Sequence, residues 1–128
     1  MKNKKIKIVA LVSREWSKSI LDNIVDYKKK IVDIELVFFK NIKFSKKKFK
    51  SVKNLKKNKV SNYIKKIIEI QPDLILAYGW SDYIPKNIRD IAPCLILHPS
   101  KLPLYRGGSP IQHQLINNEK NSAVTILV

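Results

Sequence analysis

The sequence predicts one α/β domain over residues 1–128: a three-layer arrangement, a mostly parallel sheet with helices on both faces, incomplete at the C-terminus. Three observations predict it. Short runs rich in Ile, Val and Leu recur at residues 5–12, 34–39, 73–78 and 94–98. The stretches between them place apolar residues at helical spacing, and strands alternating with helices build parallel sheets. No internal repeat or linker divides the chain, and 128 residues are enough for one core and too few for two.

Residues 5–12 (KIKIVALV) are apolar without alternation from Ile8 onward, the pattern of a strand buried on both faces. Ile20, Leu21, Ile24, Val25 and Tyr27 then follow at helical spacing and predict an amphipathic helix over roughly 17–30. Residues 34–39 (IELVFF) complete a β-α-β unit, whose crossover is right-handed. Phe44, Phe49 and Val52 suggest a short edge strand at 48–52, with lysines that keep the edge from pairing with other chains. Tyr63, Ile64, Ile67 and Ile68 share one face of a helix over 61–70, which Pro72 ends.

Residues 73–78 (DLILAY) are a third clear strand, with Gly79-Trp80-Ser81 as the loop at its carboxyl end. A short helix is expected over 85–91, with Pro85 in its first turn. Residues 94–98 (CLILH) form the next strand, 98–109 a loop containing Pro and Gly, and 110–117 a helix. A last strand is expected over 123–128 (AVTILV).

Composition removes several classes of function. The one cysteine, Cys94, has no metal-ligand spacing around it, so a disulfide framework and a metal site are not expected. The apolar run near the N-terminus is too short to span a membrane and lacks a cleavage site; a cytoplasmic protein is expected. The turn after the first strand, Val12-Ser13-Arg14-Glu15-Trp16, has no glycine, which argues against a dinucleotide site there. Net charge is +16, but only Arg14, Arg89 and Arg106 of the 26 basic residues are arginines. Surfaces that grip phosphate favour the planar fork of arginine. Residues 40–66 hold twelve lysines and no acid. A solvated face is the favoured reading of that run, and an RNA-binding stripe is the alternative.

The densest signal is His98-Pro99-Ser100-Lys101-Leu102-Pro103-Leu104-Tyr105-Arg106-Gly107-Gly108-Ser109-Pro110. His98 stands at the end of a strand, and imidazole is a side chain suited to accepting and donating protons. Two prolines stiffen the loop behind it, and Gly107 and Gly108 allow backbone conformations closed to other residues. Ser109 is placed to cap the helix that begins at Pro110. Ligands of open α/β sheets bind beyond the carboxyl ends of the strands, which is where this loop and residues 78–81 fall.

This segment resembles the H-x-S-x-L-P-x-x-R-G-x-x-P signature of the formyltransferase family. Gln71-Pro72-Asp73 with the strand after it, Pro110-Ile111-Gln112, and Val124-Thr125-Ile126 extend the resemblance over residues 72–128. It implies a Rossmann-like fold and transfer of a formyl group from 10-formyltetrahydrofolate to an amine, without a metal. His98 becomes the catalytic histidine, handling protons and stabilising charge on the tetrahedral intermediate. Tyr78, Gly79, Trp80 and Ser81 would line the pterin pocket. Ser100, Arg106, Gly107 and Gly108 would contact substrate or shape the loop, with Arg106 expected to bond backbone carbonyls. A sugar amine or other small-molecule amine is the favoured acceptor over initiator tRNA.

Two departures bear on activity. The family's catalytic asparagine, two residues before the histidine, is here Ile96, which cannot donate to an oxyanion. The family's aspartate lies further on than Val128; of the carboxylates present, Asp82 is in the pocket-side loop and Glu119 in an exposed turn. The resemblance therefore also admits a truncated or non-catalytic relative that binds folate or a nucleotide sugar without turnover.

Overall fold

The computed structural model describes residues 4–28, 31–39, 42–43, 49–54 and 60–128. Among the described residues six strands, β1 (Ile6–Val12), β2 (Val32–Phe39), β3 (Val52–Asn54), β4 (Leu74–Tyr78), β5 (Cys94–His98) and β6 (Thr125–Leu127), form one sheet in the order β3-β2-β1-β4-β5-β6. The first five are parallel, and β6 runs antiparallel to β5. The helices are α1 (Glu15–Lys28), α2 (Val60–Ile70), α3 (Lys86–Arg89) and α4 (Pro110–Ile116).

Strand alternation sorts the core into two layers. Val9, Leu11, Leu36, Phe38, Ile75, Ala77 and Cys94 face Tyr63 and Ile67 of α2 and Ile88 of α3. Ile8, Ala10, Val12, Val37, Leu76 and Tyr78 face the other way, onto Leu21 of α1. β1 is central, and Val9 to Val12 have no solvent exposure, as the unalternating apolar run requires. The Phe38 and Tyr63 rings meet edge to face at 5.5 Å between centroids, which locks α2 onto the sheet.

The parallel pairing of β1 and β2 shifts by one residue between Ile8 and Val9, where Glu35 is passed over. Lys50 closes on this region, its Nζ lying 2.8 Å from both Asp33 and Glu35. These carboxylates hold the Lys50 ammonium pKa above its ordinary value through hydrogen bonds. The edge strand sits at Val52–Asn54 rather than at 48–52, because Val52 is the residue that reaches Val37 in register. Of the lysine-rich run, Lys66 is also paired, with Glu69 at 3.0 Å. Lys40, Lys46, Lys47, Lys48, Lys56, Lys57 and Lys59 lie outside the described residues, as does Phe44.

The chain winds outward from β1 to β2 and β3, then crosses to β4 and β5 on the other side. The order of strands therefore reverses between β1 and β4, and the carboxyl ends there are the default ligand position. Among the described residues, no helix is long and apolar enough to cross a membrane. Phe38 fills the interior with 1 % exposure. Replacing Phe38 by Ala is expected to cost about 3–5 kcal/mol, read as a lowered urea midpoint with the slope unchanged.

Candidate functional site

The reversal point between β1 and β4 is filled by the protein's own chain. Ser13 and Ser17 are both buried there. The Ser17 hydroxyl donates to the Tyr78 carbonyl at 2.6 Å, and the Ser13 hydroxyl donates to the Gly79 carbonyl and lies 3.5 Å from the Ser81 hydroxyl. Gly79 makes this approach possible. Its φ is +67°, and a Cβ placed on it would stand 2.6 Å from Ser17 Oγ and 2.9 Å from the Arg14 side chain. The β1–α1 turn and the end of β4 are thus joined directly by side-chain hydrogen bonds.

A cleft opens over the ends of β4 and β5. A cavity of about 320 Å³ is lined by Ala77, Trp80, Asp82, Tyr83, Ile84, Arg89 and Ile96. It lies at the small end of the range of ligand pockets, about 300–1,000 Å³, and like them it combines an apolar wall with a few polar groups. Arg89 and Ile96 also border a second hollow of about 740 Å³ that continues past Cys94 toward Leu127 and Val128. Arg89 is held in place by its Nε donating to the Ile84 carbonyl at 3.1 Å and its Nη2 reaching the Tyr83 hydroxyl at 3.2 Å. Burial pushes the Cys94 thiol pKa up, with Arg89 opposing weakly, so the hollow is bordered by a neutral thiol.

His98 ends β5, partly buried. By alternation it shares a face with Ile96 and Cys94 but lies one step beyond the lining of either hollow. Its Nε2 is 2.9 Å from the Tyr105 carbonyl oxygen. A carbonyl only accepts, so Nε2 is the donor of this bond and Nδ1 is left outside it.

Side chains from three elements hold the loop after His98. Ser100 is fully buried; its hydroxyl donates to the Leu104 carbonyl at 2.8 Å and its carbonyl accepts from Thr125 Oγ1 at 2.7 Å. Gln114 Nε2 donates to the Pro99 carbonyl at 2.9 Å, while Gln114 Oε1 accepts from Ser122 at 2.6 Å. Arg106 does not have the expected task of bonding backbone carbonyls: it is exposed, and Ser100, Gln114 and Thr125 make those bonds instead. Ser109 does not cap α4 through its side chain either. Its φ of 52° and ψ of 42° are left-handed, whereas a capping hydroxyl needs an extended backbone to reach the first-turn N–H groups. Its carbonyl accepts from the His113 N–H at 3.2 Å.

The sequence-predicted residues are thus only partly gathered. Trp80 lines the cleft, but Tyr78 faces α1 on the opposite side of the sheet, and Gly79 and Ser81 contact the β1–α1 turn. Gly107, with φ +83°, and Gly108 stand at an exposed loop tip with open space around them. Asp82 does line the cleft, and Glu119 is exposed and bonded to the Tyr105 hydroxyl. Ser13, Ser17 and Gln114 had no distinguishing sequence signal beyond being polar residues beside apolar ones, and Thr125 was marked only by the resemblance of Val124-Thr125-Ile126 to the family. Among the described residues, no group of three or more His, Cys, Asp or Glu side chains is placed to hold a metal.

Fold and cleft together define an α/β protein with a cleft at the carboxyl edge of a mostly parallel sheet. Comparison with known proteins narrows the class. The family model described as formyl transferase matches residues 3–128. The chain belongs to that family. The methionyl-tRNA formyltransferase of Campylobacter curvus is 48% identical over 62 residues, 48% of this chain and 21% of the relative. That of Campylobacter lari is 44% identical over 70 residues, 55% of this chain and 23% of the relative. The chain thus spans less than a quarter of these curated relatives in the matched region. Among solved structures, glycinamide ribonucleotide transformylase 1 from Geobacillus kaustophilus superposes with a TM-score of 0.74 at 16% identity, over 96% of this chain and 73% of that one. A likely sugar N-formyltransferase from Mycobacterium tuberculosis gives 0.68 at 21% identity, over 94% and 47%. At such identities these two establish the fold.

Gly79 makes a direct prediction. Gly79→Ala combines a left-handed backbone with a steric clash against Ser17 and is expected to destabilise by about 2–4 kcal/mol. Ser17→Ala in the same chain should recover part of that loss, and the two melting curves together check it.

Proposed function

We propose that this chain forms the donor-binding part of a folate-dependent formyltransferase site, which passes a formyl group from 10-formyltetrahydrofolate to an amine. One observation carries the reading. In a chain of this family, an apolar cleft bounded by Trp80 and Ile96 opens on the face of β5 that also ends in His98. A flat, reduced pterin suits such a cleft, with Trp80 and Ile84 as apolar walls and Asp82 and Arg89 as polar partners for its ring edge. When bound, the donor supplies an activated formyl carbon for attack by the amine. His98, with Nε2 on the Tyr105 carbonyl, offers Nδ1 as the nitrogen that takes the amine's proton. Ile96 offers no hydrogen bond to the developing oxyanion. Slow transfer, or binding without turnover, therefore belongs to this reading.

The acceptor that the sequence favours is a sugar amine or another small-molecule amine. A second reading has a specific observation behind it. The relatives at 48% and 44% identity are methionyl-tRNA formyltransferases, which makes the amine of a charged tRNA the other candidate.

Formyl transfer measured with an amino sugar and with methionyl-tRNA in parallel decides between acceptors. His98→Ala should abolish whatever turnover is seen. Ile96→Asn should raise it by about 10²–10³, the usual worth of one oxyanion donor. Failure of the wild-type chain and of Ile96→Asn to bind 10-formyltetrahydrofolate would remove the proposal.

A further inference from the structure

Resting on the reading of His98 as the proton-handling group, we infer that Tyr105 is a positioning residue for it. Its carbonyl fixes the imidazole tautomer, and its hydroxyl, anchored by Glu119 and Asn117, fixes the carbonyl.

Tyr105 sits at φ 55°, a left-handed conformation that a large side chain seldom adopts without support. The support is at the far end of its ring. The hydroxyl donates to Glu119 Oε1 at 2.8 Å and accepts from Asn117 Nδ2 at 3.1 Å. Both anchors belong to the turn that closes α4. There the Asn117 N–H bonds the His113 carbonyl at 3.0 Å and the Glu119 N–H bonds the Gln114 carbonyl at 2.9 Å. Gln114 in turn holds the Pro99 carbonyl, next to His98. The hydrogen bonds thus close a ring that begins and ends at the histidine. Within that ring the Tyr105 peptide is oriented so that its oxygen meets Nε2 at 2.9 Å. The neighbouring Leu104 carbonyl is turned the other way, onto the Ser100 hydroxyl.

Release of the Tyr105 ring frees this peptide to rotate. Nε2 then exchanges its proton with water, and either ring nitrogen can carry it. A histidine that changes tautomer presents the wrong nitrogen to the amine for part of the time.

The test is imidazole ¹⁵N NMR on the full chain at mildly alkaline pH, which reads the tautomer and the exchange of the Nε2 proton without any need for turnover. Wild type is expected to hold the proton on Nε2 in slow exchange. Tyr105→Phe and Glu119→Ala should each speed that exchange about tenfold, the effect of losing one ordinary hydrogen bond, and mix the tautomers. Glu119→Gln keeps an acceptor oxygen and should behave as wild type. Unchanged spectra in both Tyr105→Phe and Glu119→Ala would overturn the inference, as would an effect of Glu119→Gln as large as that of the alanine. If the tautomer responds as expected but the chain does not bind 10-formyltetrahydrofolate, the positioning role stands and the transferase reading falls.

Discussion

The site depends on one close backbone approach, that of the β1–α1 turn to Gly79. Two serine hydroxyls donate to successive carbonyls at the end of β4, and only a residue without a Cβ lets them come so near. In open α/β sheets the point where strand order reverses is the usual ligand crevice. Here the β1–α1 turn meets Gly79 at that point. A cleft with Trp80 and Ile96 among its walls lies over the ends of β4 and β5.

The second half of the site is a loop made rigid by internal hydrogen bonds. Ser100 turns inward at a place where an outward hydroxyl would have met solvent, and its buried position is tolerated because both its hydroxyl and its carbonyl are satisfied. Thr125 makes the second of these bonds from β6. The antiparallel pairing of β6 with β5 therefore does more than extend the sheet: it ties the loop to the strand that carries His98. The apolar side chains of Leu115 and Ile116 on α4 and of Ile126 on β6 are exposed.

Much of the fold was legible because it rests on local pattern. Strands buried on both faces read as unbroken apolar runs, and α2 reads as a stripe of Tyr63, Ile64 and Ile67, so element types could be taken from the chain itself. The candidate site was legible only where a side chain's place follows from its own strand or motif, as with Trp80 in the loop after β4 and His98 at the end of β5. It was not legible where tertiary contact decides. Ser17 reads as an ordinary residue of a helix's first turns, and nothing local shows that it meets the Tyr78 carbonyl. Ser109 carries the right residue type for a cap but the wrong backbone, and Arg106 stands in solvent although the motif surrounds it. Tyr78 follows the alternation of β4 and so faces α1, a consequence that the loop-based expectation for residues 78–81 passed over.

The central claim is that the slot between Trp80 and Ile96 receives the pterin of a reduced folate. Backbone NMR shift mapping of the ¹⁵N-labelled chain during addition of 10-formyltetrahydrofolate tests it most directly. Saturable shifts clustered at Ala77, Trp80, Ile84 and Ile96, with His98 following, are the expected result. Shifts confined to the lysine-rich residues 40–66, as for any polyanion, or no saturable shift at all, would contradict it.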